Sequence, residues 1–341
     1  MVDESLLREP ADRGLRLVAL SLLADAQQAG HKLMSVSQEL RDSDAGSDDA
    51  LHDFRVAVRR LRSWIRAFEP RLRDAVSRTQ RRHLSRIADA TGAARDATVH
   101  LQWLREERPA LSARQRVGHA WLNHRLETQR QEGSDAALAA ATDFDAMVAK
   151  LARRLNVYRS PVVAPERPPR FGASLAKRLL KASESLRGHL AAIHRATDVD
   201  ESHRARIAAK RLRYLLEPVA KLAGNGDAIV ETLKSLQDAL GDLHDVHVFS
   251  EEVAAARGKE GARPGLRRLA RRLRERGARA YAGIASEWLN DAGTSFFDCV
   301  RALAADITRG ASARTEIERK YLLERLPDAA LDASSVEIAQ G

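Results

Sequence analysis

Residues 51–69, LHDFRVAVRRLRSWIRAFE, carry two interleaved helical periods, and between them they dictate most of what this chain can become. His52, Arg55, Arg59, Arg62 and Arg66 recur at steps of three, four, three and four, which on an α-helix aligns all five side chains along one face. Phe54, Val58, Leu61, Ile65 and Phe68 keep the same steps on another face. The apolar stripe requires a core, and the cationic stripe runs beside it. Like charges at these spacings repel by a few tenths of a kcal/mol per pair. Four stacked arginines therefore weaken the helix unless something anionic lies along them.

The pattern returns. An offset of 151 residues places His52 on His203, Arg55 on Arg206, Arg59 on Lys210, Arg60 on Arg211, Leu61 on Leu212 and Arg62 on Arg213, while Arg66 falls on Glu217. Downstream, LSRIADATGAARDATV (84–99) aligns with LKSLQDALGDLHDVHV (233–248) at an offset of 149, pairing Gly92 with Gly241 and Asp96 with Asp245. A change of two residues in the offset is what a loop of different length requires. These matches predict an all-α chain of two halves from an internal duplication, related by a pseudo-two-fold axis, with the stripes facing a shared groove.

Taken in order, residues 11–40 read as one long helix loosened near Gly30, and 41–49 as a polar turn with Asp48 or Asp49 capping the basic helix, which Pro70 ends. Residues 72–105 read as helical, with Gly92 marking a close helix approach or a bend, and helical pattern resumes over 110–131 and 135–157. SPVVAPERPP (160–169) holds four of the ten prolines, so no helix or central strand runs through it. A further long helix covers 171–193, and Arg267, Arg271 and Arg274 share a face of another helix over 263–281. After residue 308, TEIERKYLLERL alternates in the manner of a strand. The expected division is a first helical half over 1–160, a linker over 161–169, a second half over 170–308 and a short β-like tail over 309–341.

The formal charge of +10 makes a polyanion the first partner to consider. The 57 basic residues comprise 48 arginines and nine lysines, and guanidinium grips phosphate or carboxylate as a bidentate fork where ammonium acts as a point charge. A high-GC genome would also explain that ratio, but not the stripe. The single cysteine, Cys299, excludes a disulfide framework and a thiolate metal cluster. No apolar run reaches membrane-spanning length and the N-terminus lacks a signal-peptide pattern, so a cytoplasmic protein without a membrane partner is expected.

Three plainer or competing readings apply. The stripes can be solvated faces, or can pair with acids such as Glu69, Asp89, Asp96, Asp238 or Asp245, of which Asp96 and Asp245 are expected to orient a basic residue. His52 and His203 can be helix-start histidines bonded to a neighbouring turn, or donors to a phosphoryl oxygen. His244, Asp245 and His247, with His52 and Asp53, resemble the metal ligands of helical His-Asp phosphohydrolases, although the offset partners of His244 and His247 are Arg95 and Thr98. Nucleic acid is the other polyanion, but aromatics are only 4% of the chain, and Trp64, Trp103, Trp121 and Trp288 lie in amphipathic helices as core or groove-wall residues.

The duplicated H-x-x-R-x-x-x-[RK]-[RK]-L-R pattern, each copy followed by a Gly-x-x-x-Asp helix, resembles the CHAD family, the conserved-histidine α-helical domain, over roughly 11–308. The resemblance implies two four-helix halves and non-catalytic binding of inorganic polyphosphate by His52, Arg55, Arg59, Arg62, His203, Arg206, Lys210 and Arg213. Arg66, Lys177, Lys181 and Lys234 are additional candidates. No cofactor and no metal site is expected, and the cytoplasmic location extends to polyphosphate granules. Glu316, Glu318 and Lys320 resemble the E-x-E-x-K opening strand of CYTH or triphosphate-tunnel domains, with SSVEIAQG (334–341) as the start of the next strand. Most of that barrel is missing from the sequence, so its site is not expected to assemble.

Overall fold

Helical periodicity becomes helix along nearly the whole of the described chain. The structure, a computed structural model, describes residues 4–36, 45–108, 111–157, 168–222, 224–256, 263–289 and 291–312. A 3₁₀ turn, Glu4–Arg8, precedes α1 (Ala11–Ser35), α2 (Ala45–Ala67), the single turn α3 (Glu69–Leu72), α4 (Arg78–Ala90), α5 (Gly92–Glu107) and α6 (Ala113–Asn156). Then follow α7 (Phe171–Ala191), α8 (Val199–Leu216), a 3₁₀ segment Glu217–Leu222, α9 (Gly226–Ala256), α10 (Arg263–Trp288) and α11 (Asp291–Ser312). Among the described residues the only β feature is an isolated bridge between Pro10 and Arg170, which ties the start of α1 to that of α7.

Several boundaries differ from the sequence reading, each for a physical reason. The basic helix begins at Ala45, so Asp48 and Asp49 lie within the helix and neither is its N-cap. Pro70 does not close the path; it sits in the first turn of α3, where a missing N–H costs nothing. The stretch 72–105 divides into α4 and α5 at Thr91, whose hydroxyl donates to the Ala88 carbonyl at 3.0 Å. Gly92 marks this bend, not a close approach, since a Cβ there would meet nothing within 4 Å.

Residues 113–156 form one helix with no break at Gly133, because a Cβ at Gly133 would fall 2.5 Å from the Ala94 amide nitrogen. That glycine marks where α5 crosses α6. Helix α1 runs through Gly30 undisturbed, with the Phe54 ring 3.2 Å from where a Cβ would stand. The last helix reaches Ser312, beyond the expected boundary at 308. Most of the proline-rich linker, 158–167, and the strand-like tail with Glu316, Glu318 and Lys320 lie outside the described residues. Two S-x-x-Q sequences start helices as capping boxes, Ser77 with Gln80 and Ser112 with Gln115.

The element spans keep the offsets of the sequence. Shifted by 149 residues, α4 and α5 together cover the length of α9, which is continuous; shifted by 150, the start of α6 falls on the start of α10. Helices α1, α2, α5 and α6 pack respectively on α7, α8, α9 and α10. One apolar core runs from Leu6 to Ala311 through both halves, and a smaller one gathers Trp103, Leu104, Leu126, Phe249, Val253 and Leu273 from α5, α6, α9 and α10. The halves are thus not separately cored. The α2 apolar stripe (Phe54, Val58, Leu61, Ile65 and Phe68) is buried in the main core, and Trp64 donates its indole N–H to the Leu15 carbonyl at 3.0 Å.

Candidate anion-binding site

Burying the apolar face of α2 and of α8 leaves each helix no choice about where its cations go, and the α2–α8 contact turns the two rows toward each other. At the crossing, Arg55 and Arg59 of α2 bear electrostatically on Arg206 and Lys210 of α8, together with Asp96 of α5 and Asp245 of α9. Each of these residues lies near its own offset counterpart: Arg55 beside Arg206, Arg59 beside Lys210, Asp96 beside Asp245. One layer further, His100 stacks on Phe249, its counterpart, with ring centroids 4.4 Å apart. Offset counterparts are therefore neighbours within the cationic layer.

Four cations share this layer with two carboxylates. Arg55 is buried, donating to the Gly92 carbonyl at 3.4 Å and to Asp96 at 3.5 Å. Arg59 and Lys210 have no ion-pair partner among the described residues, and Arg206 Nε is buried without an acceptor among them. Burial first, then Arg206, Arg59 and Arg55, push the Lys210 ammonium down to about 6. Burial and Arg55 lower Arg59 to about 10. Arg206 is lowered by burial, against the opposing pull of Asp245 and Asp96. Burial raises Asp245, and Arg206 pulls it the other way.

The second histidine stands at the rim. His203 Nδ1 lies 3.4 Å from His244 Nδ1. Burial and then Arg206 lower both rings, His244 to about 3, so the pair is neutral at physiological pH. His52 is exposed at the opposite end of the row. His247 is turned away, its Nε2 2.8 Å from the Ala196 carbonyl, so the His244, Asp245 and His247 trio does not converge. Among the described residues no three His, Cys, Asp or Glu side chains are grouped as a metal site.

Further along, acids take up part of the stripes. Arg62 reaches Asp89 at 3.4 Å, and Glu217 holds both Arg60, at 2.6 Å, and Arg213, at 3.1 Å. Arg213 is thereby engaged inside the protein. Lys234 is bonded to Glu231 on its own helix at 2.6 Å, and Lys177 and Lys181 are exposed on α7; none of the three is among the charges that bear most on Arg59, Arg206 or Lys210. Arg66 instead lines a cleft of about 300 Å³ with Arg62, Arg78, Arg81, Arg82 and Glu69. The arginines of α4 went unnoticed in the sequence because they belong to neither stripe; only the helix turn at 68–77 folds them back against α2.

A family model described as CHAD domain matches residues 27–254, which span both basic helices and the two acid-bearing helices behind them. The crystal structure of the CHAD domain from the plant Ricinus communis is similar at a TM-score of 0.57 and 20% identity, over 89% of this chain and 96% of that one. PptA from Streptomyces chartreusis is similar at a TM-score of 0.61 and 18% identity, over 83% of this chain and 100% of that one. At such identities these structures bear on the fold alone. No curated protein matches the sequence. Since the matched span exceeds half the chain and contains the whole two-helix cationic layer, this protein belongs to the CHAD domain family.

Proposed function

We propose that this chain binds inorganic polyphosphate in the cytoplasm, along the crossing of α2 and α8, and does not hydrolyse it. The observation that carries the reading is a half-buried layer of three arginines and Lys210 against two carboxylates, crowded enough that burial and the neighbouring arginines depress the Lys210 ammonium to about 6. A buried cation without a partner is costly, and a polyanion is the ligand that removes the cost along the whole row at once. In this reading Arg59, Arg206 and Lys210 donate charge-assisted hydrogen bonds to phosphate oxygens, Arg62 continues the row, and the neutral His203 and the exposed His52 donate at its ends. Buried Arg55 acts as a positioning residue, held by Asp96. His244, lowered to about 3, is a poor general base at neutral pH, which supports binding without turnover. The pairing of each layer residue with its offset counterpart supports an internal duplication as the origin of the groove.

The test is titration of the full chain with long-chain polyphosphate against RNA of matched charge, in chelator and then with Mg²⁺ or Mn²⁺. Polyphosphate is expected to bind preferentially, more tightly as it lengthens and more weakly as salt rises. Arg59→Ala and Lys210→Ala should each weaken binding on the order of tenfold, the scale of one hydrogen bond to a charged group. Preferential displacement by RNA, metal-dependent release of phosphate, or unchanged affinity in both variants would overturn the proposal.

A further inference from the structure

The two ends of the cationic row are not alike. Five arginines line the cleft between α2 and α4: Arg62, Arg66, Arg78, Arg81 and Arg82, with Glu69 as its one acid. Arg81 is held by Glu69 at 2.9 Å and Arg62 by Asp89 at 3.4 Å, whereas Arg66, Arg78 and Arg82 have no carboxylate partner among the described residues. Arg211 of α8, partly desolvated, feels Arg66, Arg178 and Arg62 as its strongest neighbouring charges, all of the same sign. Cations here outnumber the acids that pair with them.

The symmetry-related place carries the opposite charge. By the same offsets, Arg66, Arg78 and Arg82 fall on Glu217, Asp227 and Glu231. Glu217 is the acid that binds Arg60, the counterpart of Arg211, as well as Arg213, and Glu231 binds Lys234. One end of the row is therefore an open arginine cleft, and the other carries three acids, two of them paired with cations of the molecule. This difference has no bearing on the core, because Arg78, Arg82, Asp227 and Glu231 are all exposed.

Resting on the polyphosphate reading above, we infer that the bound polymer runs in one direction only, leaving the central layer past Arg62 and Arg66 into the α2–α4 cleft, where Arg78 and Arg82 hold its distal phosphates. From Arg55 to Arg66 the α2 row rises about 16 Å at 1.5 Å per residue, so the cleft is reached only by a chain of several phosphates. A short chain fills the central layer and stops there. Glu217 and Glu231 tie up cations at the opposite end, so no comparable row of free cations continues there, and the polymer's register is fixed. The cleft is thus a length-reading subsite for a linear polyanion.

Arg78→Ala/Arg82→Ala tests the proposal against a charge-matched control, Arg301→Ala/Arg309→Ala on α11, whose arginines are exposed and each paired with an aspartate. Binding of tripolyphosphate and of long-chain polyphosphate would be measured across a salt series on the full chain. The cleft variant is expected to lose at least tenfold for the long chain, keep its tripolyphosphate affinity, and show a salt dependence shallower by roughly two counterions. The control should stay within about twofold for both ligands. Equal losses in cleft variant and control would mean that only the overall field matters, and an intact cleft variant would mean that the polymer does not enter; either overturns the inference while leaving the central site standing. Wild-type protein that binds neither ligand would overturn the polyphosphate reading itself.

Discussion

Lys210 is the residue on which the chemistry turns. Its folded-state pKa of about 6 lies below the ordinary 10.5, so between those values the unfolded chain holds a proton that the folded one releases. Stability of the free protein should therefore rise with pH across that window, the penalty being fully present below about pH 6. A bound phosphate restores the proton. Binding near pH 8 should then take up close to one proton per chain, and affinity should fall as pH rises from 6 toward 10. Calorimetry in buffers of different ionisation enthalpy reads the uptake, and Lys210→Met should abolish it; uptake unchanged in that variant would show that another group titrates. The sequence reading had Lys210 in the row. Arg206, one turn away on the same helix, was visible there too; the burial and the approach of Arg59 and Arg55 were not, because they come from a helix about 150 residues away in the chain.

At the scale of the element, the apolar stripes were readable from period alone, since every stripe residue of α2 is buried as its spacing required. Breaks were not. Gly92 and Gly241 are offset counterparts, yet the chain bends at the first and α9 runs straight through the second. A glycine permits a bend, and the packing of the neighbouring helices decides whether one occurs. Gly133 makes the same point in reverse: it falls between the helical stretches 110–131 and 135–157, yet the helix runs through it and it lets α5 and α6 touch. Gly133→Ala should cost about 1–3 kcal/mol from overpacking in spite of the better helix propensity of alanine. Gly188→Ala, at an exposed position of α7 where a Cβ meets nothing within 4 Å, should stabilise by roughly 0.5–1 kcal/mol. Urea denaturation of the two variants distinguishes steric contact from propensity.

For the whole molecule, no described helix is long and apolar enough to cross a membrane, and the net charge of +10 is carried on a fold whose two cores span both halves. Self-repulsion of the cationic layer destabilises the free chain, so long-chain polyphosphate at one hundred times its Kd should raise unfolding free energy by about 2.7 kcal/mol, read as an upward shift of the melting temperature. A melting temperature unmoved by saturating polymer would contradict selective binding to the folded state. Helical class, the two registered basic rows and the acids behind them were determined by the sequence alone, because period and offset are properties of the chain itself. Which cations remain unpaired, that Glu217 lies between Arg60 and Arg213, and that α4 brings Arg78 and Arg82 beside Arg66 were decided only by tertiary structure, because charge balance depends on distances in space that spacing along the chain does not encode.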